Sequence, residues 1–212
     1  MKRIFLAIIT FFFGITLYSQ VDFEPKGSFI VDIGLPNNTS NLALKELVQG
    51  LVIINTGYQH TFDNTFSVAA GIRYGYMNIN EFKNNIDLKG GIHYTGVWGK
   101  VGQEKYYGNF GLNYGVRIGY SMQFFATNKN EELRGKPYMN DGGFVEPTIS
   151  FALMANERSS FSLTLGYAIH GFTLKADQLG IEQFTGLDKD RLSSPTSYFS
   201  IGFGYSFFFG KQ

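Results

Sequence analysis

Large apolar side chains return at every second position in segment after segment of this chain, with glycine, serine, asparagine or a single charge between them. Through residues 106 to 121 the even positions are Tyr106, Gly108, Phe110, Leu112, Tyr114, Val116, Ile118 and Tyr120. The odd positions are Tyr107, Asn109, Gly111, Asn113, Gly115, Arg117, Gly119 and Ser121. Successive side chains of a strand point to opposite faces, so a period of two makes one greasy face and one polar face.

Eight segments carry this alternation, at about 27 to 35, 51 to 62, 65 to 77, 86 to 99, 106 to 121, 143 to 155, 160 to 172 and 197 to 209. The third is among the cleanest, with Phe66, Val68, Ala70, Ile72, Tyr74 and Tyr76 set against Ser67, Ala69, Gly71, Arg73 and Gly75. In the fourth, Leu88, Ile92, Tyr94 and Trp98 are assigned to the greasy face. The sixth contains Pro147, which lacks a ladder donor and suits a strand end or bulge; a slip of one residue there would turn Glu146 to the greasy side. An even number of strands closes a meander without leaving an exposed edge.

Charge decides which face is buried. Within the eight segments the ionisable residues of opposite sign are Asp32, Arg73, Asp87, Lys89, Arg117 and Glu146, all in the polar phase and three of each sign. A sheet face in water normally carries many lysines and glutamates, so a secreted soluble barrel or sandwich, the alternative, fits poorly. A narrow lumen filled by small residues and paired charges, inside a wall whose greasy face meets lipid, fits well. The fold class expected is therefore all-β, an eight-stranded antiparallel up-and-down transmembrane β-barrel.

The connections alternate between long and short. With the N-terminus in the periplasm, the short ones, such as that at Asp63 and Asn64, fall on the periplasmic side, and those near 36 to 50, 77 to 85, 123 to 142 and 173 to 196 fall outside. In that orientation Phe62, Phe66, Trp98, Tyr106, Phe161 and Phe209 gather near the lower interface, and Tyr74, Tyr76, Tyr120 and Phe199 near the upper one, as two aromatic girdles.

Lys2 and Arg3 precede an apolar run from Ile4 to Leu17 and the small Ser19, the arrangement of a secretory signal peptide, which sets the domain boundaries at 1–19 for the signal and 20–212 for the barrel. The run is shorter than the ~20 apolar residues of a spanning helix. Without Lys2 and Arg3 the chain has 16 basic and 17 acidic residues, so nothing attracts nucleic acid. The absence of cysteine excludes both a disulfide scaffold and acylation at an N-terminal Cys.

These residues resemble the small eight-stranded outer-membrane β-barrels of the OmpA/OmpX type, in the divergent form known as outer-membrane β-barrel domain proteins. The resemblance covers nearly all of the mature chain. It rests on the signal peptide, the eight alternating segments and the last one, Tyr198, Phe199, Ile201, Phe203, Tyr205, Phe207 and Phe209. That final segment resembles the carboxy-terminal signal read by the barrel assembly machinery, although Gly210, Lys211 and Gln212 follow the usual terminal aromatic. The resemblance implies residence in the bacterial outer membrane, with outer-membrane lipids, the assembly machinery and an extracellular or envelope protein as partners.

Catalytic chemistry finds little support. Only His60, His93 and His170 are available; His93 and His170 fall in the lumen phase, and Asp177, Asp188 and Asp190 lie in the last outer loop near His170. No metal spacing, phosphate loop or dinucleotide fingerprint is present, and no cofactor is expected. The lumen charges read either as a selectivity lining or as a paired plug, and the width of an eight-stranded barrel favours the plug. Leu44, Leu47, Val48 and Leu51 recur at helical spacing in the first outer loop, and Leu179, Ile181, Phe184 and Leu187 suit either partner contact or packing over the rim. The reading is a non-enzymatic outer-membrane barrel with a plugged lumen, acting through its extracellular loops or as a structural component of the envelope. A narrow-pore or small hydrophobic-solute transport barrel, a lipid-modifying enzyme and an accessory of a secretion or envelope machine are the alternatives.

Overall fold

Residues of alternating character become strands only when each finds a neighbour for its backbone, and here every strand has two. The computed structural model describes residues 26–39, 45, 47–81, 87–180 and 194–209. The expected signal peptide, Ile181, Phe184, Leu187, Asp188 and Asp190 lie outside the described residues. The strands are β1 (Gly27–Asn38), β2 (Val48–Thr61), β3 (Phe66–Ile79), β4 (Gly90–Tyr107), β5 (Phe110–Thr127), β6 (Tyr138–Asn156), β7 (Ser159–Leu174) and β8 (Ser194–Phe209). They form a closed, all-antiparallel up-and-down barrel in chain order, sealed where β1 meets β8 with Gly27 opposite Phe209 and Asn38 opposite Tyr198.

Short turns join β2 to β3, β4 to β5 and β6 to β7 at one end of the barrel, called here the lower rim, together with the start of β1 and the end of β8. The upper rim carries the longer connections and two short helices, α1 (Asn128–Arg134) and α2 (Ala176–Leu179). α1 starts where Thr127 Oγ1 accepts from the Asn130 N–H and stops at Gly135, whose φ of 66° lets its own N–H reach Glu131 O. Strands β5 and β6 continue past the expected ends of their segments, shrinking the expected 123 to 142 loop to residues 128–137.

The alternation settles seven strands as expected. Phe29, Ile33 and Leu35 of β1, Ile72 and Tyr74 of β3, and Phe203, Tyr205 and Phe207 of β8 all stand on the outside. Pro147 causes no slip, because the offset that pairs Phe144 with His170 also pairs Thr148 with Gly166. Glu146 accordingly faces the lumen and Pro147 the outside.

β4 is the exception and corrects the expectation. It begins at Gly90, so Asp87 and Lys89 are not in the wall at all; they are exposed in the preceding connection, 3.6 Å from one another. Its even residues point inward: Ile92, Tyr94 and Trp98 are buried, and Val97 and Val101 face outward. The β4–β5 turn explains part of the error. Only Gly108, at φ 59°, and Asn109 separate the strands, so Tyr107 pairs with Phe110 and Tyr106 with Gly111. This hairpin exchanges odd for even across the turn, and an alternation carried straight through it puts Tyr106 on the wrong face. Of the helix expected around Leu44, Leu47, Val48 and Leu51, Leu44 lies outside the described residues, Lys45 and Leu47 are helical, and Val48 and Leu51 belong to β2.

Candidate functional site in the lumen

The lumen is filled in layers. At mid-height Arg73 (β3), Arg117 (β5), Glu146 (β6) and Asp32 (β1) meet. Arg73 donates to Glu146 Oε2, to Asn55 Oδ1 at 2.7 Å and to Tyr198 OH at 3.2 Å. Arg117 donates to Asp32 Oδ2, and its Nη1 lies 3.7 Å from Glu146 Oε2. Both guanidinium groups also lie over aromatic faces, Arg73 4.4 Å from the Phe144 centroid and Arg117 5.1 Å from that of Trp98. Two glycines make room for the carboxylates: a Cβ at Gly166 would stand 2.7 Å from Glu146 Oε1, and one at Gly204 2.5 Å from Asp32 Oδ1. Arg73, Arg117 and Glu146 are each 2 % exposed or less. Four charges of balanced sign, so enclosed, form a net-neutral layer across the lumen.

Below this layer the contacts are polar. Lys100 Nζ donates to Asn113 Oδ1 at 2.6 Å, and Asn113 Nδ2 donates to Gln59 Oε1 at 3.0 Å and Glu104 Oε1 at 3.2 Å. Glu104 also accepts from Thr61 Oγ1 at 2.6 Å and from Tyr106 OH at 3.0 Å. Above the layer the lumen is mostly apolar, with Gln123 and His170 buried among apolar side chains. Ile53, Met77, Ile79, Ile92, Phe125 and Phe172 pack into one cluster, closed at the top by Leu47, Leu88 and Leu179, one leucine from each of three upper connections. Thr127 Oγ1 donates to Leu179 O at 3.1 Å, and Asn130 Nδ2 donates to Phe125 O and to Gln178 O, which ties α1 and α2 across the mouth.

The structure thus brings together Asp32, Arg73, Arg117 and Glu146, and leaves Asp87 and Lys89 outside. Lys100 and Glu104, both buried in the lumen, are missing from the expected set. Their signal was legible, because they share the even phase of Trp98, and a tryptophan in phase with two charges belongs inside. Phe62, Phe66, Phe161 and Phe209 stand outward at the lower rim, and Tyr74, Tyr120 and Phe199 outward toward the upper one. Tyr76 is also outward, its ring 4.8 Å from that of His93. Trp98 and Tyr106 do not belong with them: Trp98 fills the lumen and donates to Ile72 O at 3.0 Å, and the Tyr106 ring packs edge-on against Phe208. Tyr107, 60 % exposed, takes the outward place beside the lower rim.

The histidines are dispersed. His60 is at the lower rim beside Phe62, His93 faces outward with Nδ1 3.0 Å from Tyr74 OH, and His170 is buried in the lumen with Nδ1 3.4 Å from Ser121 Oγ. His93 is therefore another residue displaced by the inversion of β4. Among the described residues no three His, Asp or Glu side chains are placed to hold a metal.

Comparison with solved structures gives an independent view of this architecture. Neisserial surface protein A superposes with a TM-score of 0.55 at 7% identity, over 87% of this chain and 97% of that one. The outer membrane protein OprG from Pseudomonas aeruginosa does so with a TM-score of 0.50 at 15% identity, over 88% and 98%. The chain has the fold of the small eight-stranded outer-membrane β-barrels. At these identities it is the outer-membrane barrel architecture that is shared, and the lumen chemistry above belongs to this chain. No protein-family model and no curated protein sequence matches it.

Proposed function

We propose that this chain is a non-enzymatic protein of the bacterial outer membrane, with a plugged lumen, that acts through its upper connections or as a structural component of the envelope. The observation that carries the proposal is the distribution of charge between the two sides of the wall. Among the described strand residues, the outward positions hold only Lys105 and Asp141 from the Lys, Arg, Asp and Glu set, one toward each rim. Between them lies a continuous outward surface of residues such as Ile33, Ile72, Val97, Ile118, Leu153 and Phe203. Hydrocarbon accepts such a wall because a closed barrel leaves no backbone edge, and charged side chains remain at the rims.

In this reading the lower rim is periplasmic, outer-membrane lipids surround the wall, β8 is the segment presented to the barrel assembly machinery, and the signal peptide is removed near Ser19. An extracellular or envelope protein at the upper rim is the proposed partner. The decisive experiment fractionates cells and compares gel migration with and without boiling. The reading expects an outer-membrane protein that migrates differently when unheated, and negligible conductance in planar bilayers. A soluble protein with no heat-dependent shift refutes the membrane placement, and a steady conductance replaces the plug by a narrow pore.

A further inference from the structure

The lower rim carries a recess that the plugged lumen does not account for. It lies where the β2–β3 turn meets the start of β1, has a volume of about 640 Å³, and is lined by Lys26, His60, Phe62, Asp63 and Phe66 together with neighbouring turn residues. Backbone bonds set its shape. Thr61 N–H donates to Lys26 O at 2.9 Å, Phe62 N–H to Phe66 O at 2.8 Å, and Thr65 N–H to Phe62 O at 2.9 Å. Thr65 holds a φ of 66°, a left-handed conformation that is costly for a β-branched residue and persists only where the surroundings fix it. Its carbonyl accepts from Glu104 N–H at 2.9 Å, which anchors the turn to β4, so the recess is formed before any ligand arrives.

Two kinds of chemistry meet in it. On the polar side Lys26 Nζ lies 3.4 Å from Asp63 Oδ1, with the two side chains 42% and 83% exposed. An ion pair so open to water holds together weakly, and each member can take a second partner at little cost. On the apolar side the Phe62 and Phe66 rings stack with centroids 5.9 Å apart and stand outward in the lower girdle, which puts the ion pair at the height of lipid headgroups.

Above the recess the outer wall is hollowed. Across β2 to β5 one outward row runs Tyr58, Ala70, Gly99 and Ile118, two small residues between two large ones. A Cβ added at Gly99 would meet only Ala69 O, 3.8 Å away. The row beneath it, His60, Val68, Val101 and Val116, joins this notch to the recess. On β7 and β8 the outward neighbours are bulky instead, Phe161 opposite Tyr205 and Leu163 opposite Phe203.

We propose that the lower rim seats one zwitterionic phospholipid whose headgroup ends in a primary ammonium, with its phosphate on Lys26, its ammonium on Asp63, and an acyl chain along the notch of Ala70 and Gly99. The recess offers one charge of each sign, so an anionic headgroup satisfies Lys26 but repels Asp63, whereas a zwitterion answers both. A primary ammonium has three N–H groups to give a carboxylate; a quaternary one has none. The seat goes beyond a plugged barrel acting through its upper rim, and it rests on the membrane placement of the wall.

The test uses the full-length mature chain in mild detergent, checked by its heat-dependent gel shift and equilibrated with equal amounts of phosphatidylethanolamine, phosphatidylcholine and phosphatidylglycerol. Native mass spectrometry counts the lipids retained per barrel. One phosphatidylethanolamine is expected, severalfold above the other two. Asp63→Asn should abolish the preference over phosphatidylcholine, Lys26→Gln should lower retention of all three, and Ala70→Phe, which fills the notch, should lower retention without changing the order. Arg158→Gln, in the β6–β7 turn elsewhere on the lower rim, should behave as the wild type. Glycerophosphoethanolamine, the same headgroup without chains, should not be retained, and its retention at the level of the lipid overturns a membrane lipid as the occupant.

Equal retention of the three lipids by a heat-shifted wild type, or an unchanged preference in Asp63→Asn, overturns the seat and leaves the membrane placement standing. A wild type without the heat-dependent shift overturns the placement and the seat with it. If Ala70→Phe does not form the heat-shifted barrel, the exposed variants Lys26→Gln and Asp63→Asn decide.

Discussion

The two halves of the lumen are filled by opposite means. Below mid-height, Lys100, Asn113, Glu104 and the Oε1 of Gln59 form a hydrogen-bonded chain. Above it, the apolar side chains of Ile53, Ile79, Ile92 and Phe125 fill the same bore by packing. The difference is one of tolerance. A hydrogen-bonded layer fixes each member by distance and angle, so losing one strands the others, whereas an apolar layer loses stability in proportion to the volume removed. The charged layer between them is where the barrel is most exposed to a single change.

The sharpest way to break the contrast is Glu146→Gln, which leaves Arg73 and Arg117 enclosed with Asp32 as their only carboxylate partner. The expected cost is about 3–5 kcal/mol, read as a fall in the urea midpoint of the heat-modifiable form in detergent. Replacing the pair together, Arg73→Met with Glu146→Leu, should cost less than the single change, since no unpaired charge is left between those two; a double variant as unstable as the single would contradict this. At the mouth, Asn130→Ala removes the two bonds to Phe125 O and Gln178 O, worth about 1–2 kcal/mol. Faster amide exchange in α1 and α2, with the global midpoint nearly unchanged, is the result to look for. In the apolar half, Ile92→Val should cost about 0.5–1.5 kcal/mol and disturb no polar contact. Smallest of all, Tyr114→Phe removes an outward bond to Gln103 and should move the midpoint by less than about 0.5 kcal/mol.

The same contrast explains what the sequence could and could not disclose. Where the lumen is polar, as opposite Ser67, Asn55 or Ser162, alternation distinguishes inside from outside, and the facing of β1, β3 and β8 follows from it. Where the lumen is apolar, both faces of a strand are greasy and the rule that large apolar residues face outward fails. β4 passes through both regimes: Ile92 and Tyr94 line the apolar half, Lys100 and Glu104 the polar half, all in one phase. Reading it from its upper end inverts it, and with it Trp98 and His93; reading it from its lower end does not. Asp87 and Lys89, exposed ahead of Gly90, then read as polar-face residues of the wall. The meeting of Asp32, Arg73, Arg117 and Glu146 was legible as a set of same-phase charges, but their pairing depends on the stagger of strands, which no single segment encodes. The tie between α1 and α2 rests on Asn130 and Thr127, ordinary loop residues whose partners lie about fifty positions away.

Trp98 turns the inverted strand into an optical property. It is the sole tryptophan of the chain, it is 3 % exposed, and it lies inside the bore against Arg117 rather than among lipid headgroups. Its emission therefore reports the closing of the cylinder, not the docking of the chain on a bilayer. In a refolding experiment the blue shift should arrive with the heat-resistant band on the gel, and brominated acyl chains, which reach the wall from outside, should leave most of that fluorescence unquenched.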